Sequence, residues 1–225
     1  MKKVLVIAAH PDDEILGCGG TIFNHTNVGD EVFVLIMSQG IDSRDKVKNS
    51  LEKKNKLNKA AIKANKNLGV KKIFFEKLPD NSMDKFNRLK VIKIIERYIH
   101  KIKPKIVYTH HVGDVNVDHQ VLHHSVVTAC RPIPNHPVKE LYFFEVSSST
   151  EWQTPSSGNF FQPNAFFDIT NSISCKLKSL EIYEMEMKEW PHPRSIDAVH
   201  NLSKYRGSSI GVNNAEAFII GRLIK

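Results

Sequence analysis

Short, nearly continuous apolar runs alternate along this chain with longer stretches in which apolar residues recur at helical spacing. Val4–Ala8, Glu31–Met37, Lys72–Glu76, Lys105–Thr109 and Glu140–Val146 have the length and the apolar content of buried strands. Helical periodicity fills the stretches around 14–26, 45–68, 85–102 and 119–130. In the second of these, Leu51, Leu57, Ala61, Ala64 and Leu68 share much of one helical face. A strand–helix alternation of this kind predicts an α/β fold: a Rossmann-like, mainly parallel sheet with helices on both faces, plus a C-terminal extension. In such sheets the ligand crevice lies outside the carboxyl ends of the strands.

From Ser147 to Gln162 the pattern dissolves into Ser, Thr, Pro and Gly, the composition of a loop long enough for a lid or binding loop. Asn171–Lys188 regains helical periodicity through Ile173, Leu177, Leu180, Ile182, Tyr183 and Met187. Pro191 and Pro193 end it, and Asn214–Ile220 reads as a last strand. With no internal repeat and no low-complexity linker, residues 1–225 are expected to form one domain: an α/β core at 1–145, then a loop and helical extension at 146–225.

Composition adds mostly exclusions. At 41% hydrophobic and 25% charged residues, the 225-residue chain sits among ordinary globular proteins. Its longest apolar runs, Val4–Ala9 and Val32–Met37, stop far short of the ~18 residues that span a bilayer. Met1-Lys2-Lys3 before Val4–Ala9 superficially resembles a signal peptide, but the apolar stretch runs straight into His10-Pro11-Asp12-Asp13-Glu14 and reads as a strand. Cys18, Cys130 and Cys175 are odd in number and form no C-x-x-C pair, which argues against a disulfide framework and a thiolate metal site; a reducing, cytoplasmic compartment is expected. The net charge of +8 raises the question of nucleic acid. Much of the excess lies in Lys46–Lys72, on the polar side of one helix, where a solvated face explains it without any nucleic-acid motif.

The chemistry concentrates at two strand ends. His10-Pro11-Asp12-Asp13-Glu14 follows the first strand; burying such a cluster without partners is costly, and a divalent cation relieves both the repulsion and the desolvation. If a helix starts here, His10 and Asp13 point to one side and Asp12 is left free beside the metal. His110-His111-Val112-Gly113-Asp114-Val115-Asn116-Val117-Asp118-His119 follows the fourth strand. One of its histidines completes a three-ligand site open to water, of the kind hydrolytic zinc uses, with nickel, cobalt or iron as alternatives. Asp118, next to His119, is a candidate supporting carboxylate, and His123 a competing ligand on a helix that should rise away from the crevice. Gly17-Cys18-Gly19-Gly20 does not match the dinucleotide pattern G-x-G-x-x-G and is read as close packing of helix on strand.

The pairing of Ala9-His10-Pro11-Asp12-Asp13-Glu14 with Asp118-His119 resembles the PIG-L/LmbE family of zinc-dependent N-acetyl-sugar deacetylases. The resemblance implies His10, Asp13 and His119 as metal ligands and Asp12 as general base, acting on a small N-acetylated sugar or sugar conjugate such as an N-acetylglucosamine derivative. Asp118 joins Asp12 as a catalytic candidate. Many members carry a histidine three residues before the last ligand to assist the oxyanion, where this chain has Asn116. Asn can donate a hydrogen bond but carries no positive charge, so His110, His111, Arg44 and His192 become candidates for that role, with His192 a possible proton donor to the leaving amine. Arg44 and Arg194 are candidate substrate grips, together with Asn116, and Trp152 a candidate sugar-stacking ring. A homo-oligomer is compatible with the fold. Rival readings are a metal-dependent hydrolase of phosphoesters or non-sugar amides, a non-catalytic sugar- or nucleotide-binding module, and a nucleic-acid-binding protein.

Overall fold

A computed structural model describes residues 1–38, 50–154 and 158–225. In chain order its elements are β1 (Lys3–Ala8), α1 (Asp13–Asn27), β2 (Glu31–Ser38), α2 (Ser50–Asn67), β3 (Lys72–Leu78), α3 (Arg88–Ile102), β4 (Ile106–His110), α4 (Val117–Ala129), β5 (Glu140–Phe144), β6 (Ala165–Asp168), α5 (Ile173–Glu181), α6 (Ile196–Ser208) and β7 (Ala215–Leu223), with a 3-10 turn at Met83–Lys85. The strands form one sheet in the order β3, β2, β1, β4, β5, β7, β6. The first five run parallel, and β7 is antiparallel to both β5 and β6.

Strand alternation divides the core. Val4 and Val6 pack with Ile15, Leu57 and Leu180 beneath α1, α2 and α5, while Leu5 and Ile7 pack with Ile95 and Leu122 beneath α3 and α4. Because β1 is covered on both faces, its run is continuously apolar instead of alternating. Each large aliphatic side chain so buried contributes about 1.5–3 kcal/mol. Strand order reverses between β1 and β4, so the crevice opens at their carboxyl ends, where His10–Glu14 and His110–His119 emerge.

In the C-terminal region the expected last strand is β7, and a further short strand, β6, pairs with it to complete the sheet. Residues 171–188 are helical only over α5, and α6 follows Pro193 unannounced. Ser195 starts α6 by accepting the Ala198 amide at 3.1 Å. Its buried stripe is Val199, Ser203 and Gly207, two small residues that carry no apolar signal. Among the described residues no helix is long and apolar enough to cross a membrane.

Helix α1 is broken at Cys18 (φ −150°), inside the Gly17–Gly20 stretch. The break frees backbone groups, and one buried ion pair satisfies them from both sides. Glu216 of β7 accepts the amides of Gly20 (2.9 Å) and Thr21 (2.8 Å), and Lys176 of α5 donates to the Leu16 carbonyl (2.8 Å) while pairing with Glu216 at 2.6 Å. Gly17 lies against the fully buried Phe144 ring, where an added Cβ would come within 2.3 Å of the ring carbon Cδ2. Gly17→Ala should therefore destabilise the protein by about 1–3 kcal/mol through overpacking. Thermal unfolding measures it, and an unchanged Tm would show that the glycine is not there for close packing.

Candidate metal centre

The chain leaves β1 and turns through His10-Pro11-Asp12 into α1. The amide of Ala9 donates to Nε2 of His110 at 2.9 Å, which ties the ends of β1 and β4 together. Asp12 adopts φ +107°, a conformation costing of order 1–3 kcal/mol in a non-glycine residue. Its carbonyl accepts the amides of Ile15 (3.0 Å) and Leu16 (2.9 Å) and so opens α1. Asp13 accepts the His10 amide at 2.8 Å.

This turn faces the first turn of α4. Nδ1 of His10 and Nε2 of His119 lie 3.4 and 3.2 Å from the same oxygen, Oδ2 of Asp13. Donor atoms of the three residues all fall within 4.8 Å of one another. At these residues Oδ1 of Asp13 and Nε2 of His119 are shut off from solvent without a hydrogen-bond partner. An unsatisfied buried polar atom costs about 1–3 kcal/mol, and a cation among these atoms would satisfy both. Two imidazoles and a carboxylate, without thiolate, fit a divalent transition metal with coordination positions to spare.

Each imidazole is held from behind by a carboxylate. Nε2 of His10 lies 3.1 Å from both Oδ1 of Asp80 and Oδ2 of Asp118, and Asp118 also accepts the amides of Asn81 (2.7 Å) and Met83 (2.8 Å). Nδ1 of His119 lies 3.0 Å from Oδ2 of Asp114, which accepts the Thr150 hydroxyl at 2.9 Å, while its other oxygen accepts from Ser149 and from the Asn116 amide. Such contacts fix ring orientation and leave one nitrogen per ring for a metal. Burial disfavours the charged form of His119, yet the Asp13 and Asp114 carboxylates outweigh it and lift the imidazole to about 9. Burial likewise opposes ionisation of Asp114, but His119, the Ser149 hydroxyl and the Asn116 amide bring it down to about 2.

Residues 5–130, more than half of the sequence, match the family described as PIG-L: GlcNAc-PI de-N-acetylase. The chain belongs to the PIG-L family. Diacetylchitobiose deacetylase of Thermococcus kodakarensis is 26% identical over 204 residues, covering 84% of this chain and 72% of that protein. Among solved structures, N,N'-diacetylchitobiose deacetylase from Pyrococcus horikoshii superposes with a TM-score of 0.79 at 22% identity, over 98% of this chain and 84% of the other. GalB, the 4-carboxy-2-hydroxymuconate hydratase of Pseudomonas putida, superposes with a TM-score of 0.79 at 19% identity, over 100% of this chain and 99% of its own. At these identities the structural likenesses establish the shared fold.

Within this PIG-L chain the other expected site residues distribute unevenly. Asp12 is buried beside the ligand cluster, and Nη1 of Arg194 lies 2.9 Å from its Oδ2. Arg194 thus meets an acid of the chain itself rather than waiting in open solvent. Asp118 is buried, and both of its oxygens are engaged, by His10 and by the Asn81 and Met83 amides. Asn116 is the N-cap of α4, its Oδ1 accepting the Asp118 amide at 2.9 Å and its Nδ2 donating to Asn81 at 3.0 Å. His192 is half-buried, its ring edge-on to Trp152 (centroids 5.8 Å) and its Nδ1 accepting the Arg194 amide at 3.0 Å. Arg44 lies outside the described residues. His123 is a packing residue with Nδ1 on the His110 carbonyl at 3.0 Å, lowered to about 4 chiefly by burial. His110 and His111 do not join the ligand cluster; the first stacks on His119 (3.9 Å) and the second binds the Asn159 carbonyl (3.0 Å).

Sequence reasoning passed over Asp80, although it follows the end of β3 where the crevice rule directs attention, and it placed Asp114 among the acids at the strand ends without pairing it with His119.

Asp114→Ala should weaken divalent-metal binding about 10–100-fold, read by competition with a chelator, since His119 loses its orienting partner. The raised His119 makes the metal-free protein pH-sensitive: stabilisation by its charged form is complete below the ordinary 6.5 and fades as pH rises toward about 9. Metal-free Tm should fall across that window, and His119→Gln should flatten the slope.

Proposed function

We propose that this protein is a zinc-dependent N-deacetylase that removes the acetyl group from an N-acetylated amino sugar or sugar conjugate of the N-acetylglucosamine type. The observation that carries the reading is Asp12: a buried carboxylate immediately beside the His10, Asp13 and His119 set and not consumed by it. Family membership and the named activity of the Thermococcus relative support the choice of an N-acetyl sugar over a phosphoester.

His10, Asp13 and His119 would hold the zinc, which supplies Lewis acidity that polarises a carbonyl and makes water acidic near neutrality. Asp12 takes a proton from the attacking water. Burial, only partly offset by Arg194, raises its proton affinity above that of an ordinary carboxyl, which suits a general base. Arg194 places a fixed positive charge at the reacting face, a charge that the neutral Asn116 amide does not carry. Asp12, or His192 through Nε2, returns a proton to the departing nitrogen. Water and the N-acetyl sugar become acetate and the free amine. Trp152, half-exposed next to His192, is the ring available to a sugar face.

Asp12→Asn should retain its metal and lose at least about 10²-fold in acetate release from an N-acetylated sugar, while wild-type protein releases no phosphate from generic esters. Wild-type turnover by a metal-replete Asp12→Asn protein overturns the assignment.

A further inference from the structure

The third acid of the turn, Glu14, lies in a different environment from its neighbours. It is fully buried and serves two sets of donors at once: Oε2 accepts the amide of Asp12 at 3.1 Å, and Oε1 accepts the Tyr183 hydroxyl at 2.5 Å and Nδ2 of Asn65 at 2.7 Å. Asn65 and Tyr183 are themselves buried, and Nδ2 of Asn65 is anchored a second time on the Ala61 carbonyl of α2 at 2.9 Å. Tyr183 belongs to the turn after α5.

The amide at the near end of this chain belongs to the one residue of the turn with a positive φ, and the side chain of that residue is caught at its other end by Arg194. A carboxylate can rotate about its last bond. Two donors on Oε1 fix its plane, and that plane aims Oε2 at the Asp12 amide. We infer that Glu14, Asn65 and Tyr183 form a positioning relay for Asp12, through which α2 and the C-terminal region set the direction of its carboxylate. The inference rests on the reading of Asp12 as general base only for its kinetic consequence; the relay itself is a statement about the Asp12 backbone.

Three variants in the full-length, metal-replete protein test it. Tyr183→Phe removes one hydroxyl and keeps the ring. Asn65→Ala removes the other donor. Glu14→Gln replaces one acceptor by a donor, so it can no longer serve both ends. Amide hydrogen exchange at Asp12, followed by NMR, should quicken about tenfold or more in each variant. With N-acetylglucosamine as probe substrate, kcat should fall about ten- to a hundredfold, with KM within about twofold and metal content unchanged. Adding Tyr183→Phe to Glu14→Gln should cost little further, since both break one chain. Wild-type exchange at Asp12 in both Tyr183→Phe and Asn65→Ala overturns the relay, as does a loss confined to KM or metal content. If exchange quickens in the variants while Asp12→Asn keeps its turnover, the relay stands and the general-base reading fails.

Discussion

Three consecutive carboxyl groups, Asp12, Asp13 and Glu14, are all buried at the point where β1 passes into α1. Side by side and out of water they repel one another, and desolvation penalises the charge of each. The fold resolves this by giving every acid its own partners from a different part of the chain. Asp12 meets Arg194, Asp13 meets His10 and His119, and Glu14 meets Asn65 and Tyr183. The first helix also begins here, so its N-terminal end faces the acids and eases their charge. One tripeptide thereby draws together α1, α2, α4 and the C-terminal region.

That convergence explains why residues 146–225 are more than an appendage. Besides Tyr183 and Arg194, they provide Lys176 and Glu216, the pair that satisfies the broken middle of α1. Gly17, beside the break, lies against the Phe144 ring of β5. Truncating this region would leave the metal residues in place in the sequence while removing what holds their turn in shape.

The overall charge plays little part. Lysines of α2 stand on its outer face, whereas the crevice is acidic and its acids are neutralised internally by Arg194 and the imidazoles. Nor does the fold choose the reaction: a hydratase and a deacetylase superpose on this chain equally well. What separates chemistries on one scaffold is the local set of donors and acids, and here that set is the imidazoles of His10 and His119, the Asp13 carboxylate between them and the Asp12 carboxylate next to it.

Much of this was legible in the residues themselves. Continuous apolar runs marked the buried parallel strands, the crevice rule directed attention to the segments after β1 and β4, and the family resemblance singled out His10, Asp13 and His119 within them. Strand β6 escaped because four residues at a sheet edge carry little pattern, and α6 because Ser203 and Gly207 stand on its buried face. The second layer of the site was decided only by tertiary structure. Asp118 adjoins His119 in sequence yet supports His10, and Asp114, five positions before His119, is the one that supports it. Neighbours on a helix diverge by roughly 100°, so adjacency turns two side chains apart. Which carboxylate reaches which imidazole depends on how α4, the Asp80–Met83 segment and the loop after β5 close over the strand ends, a matter of packing between distant segments that no local pattern records.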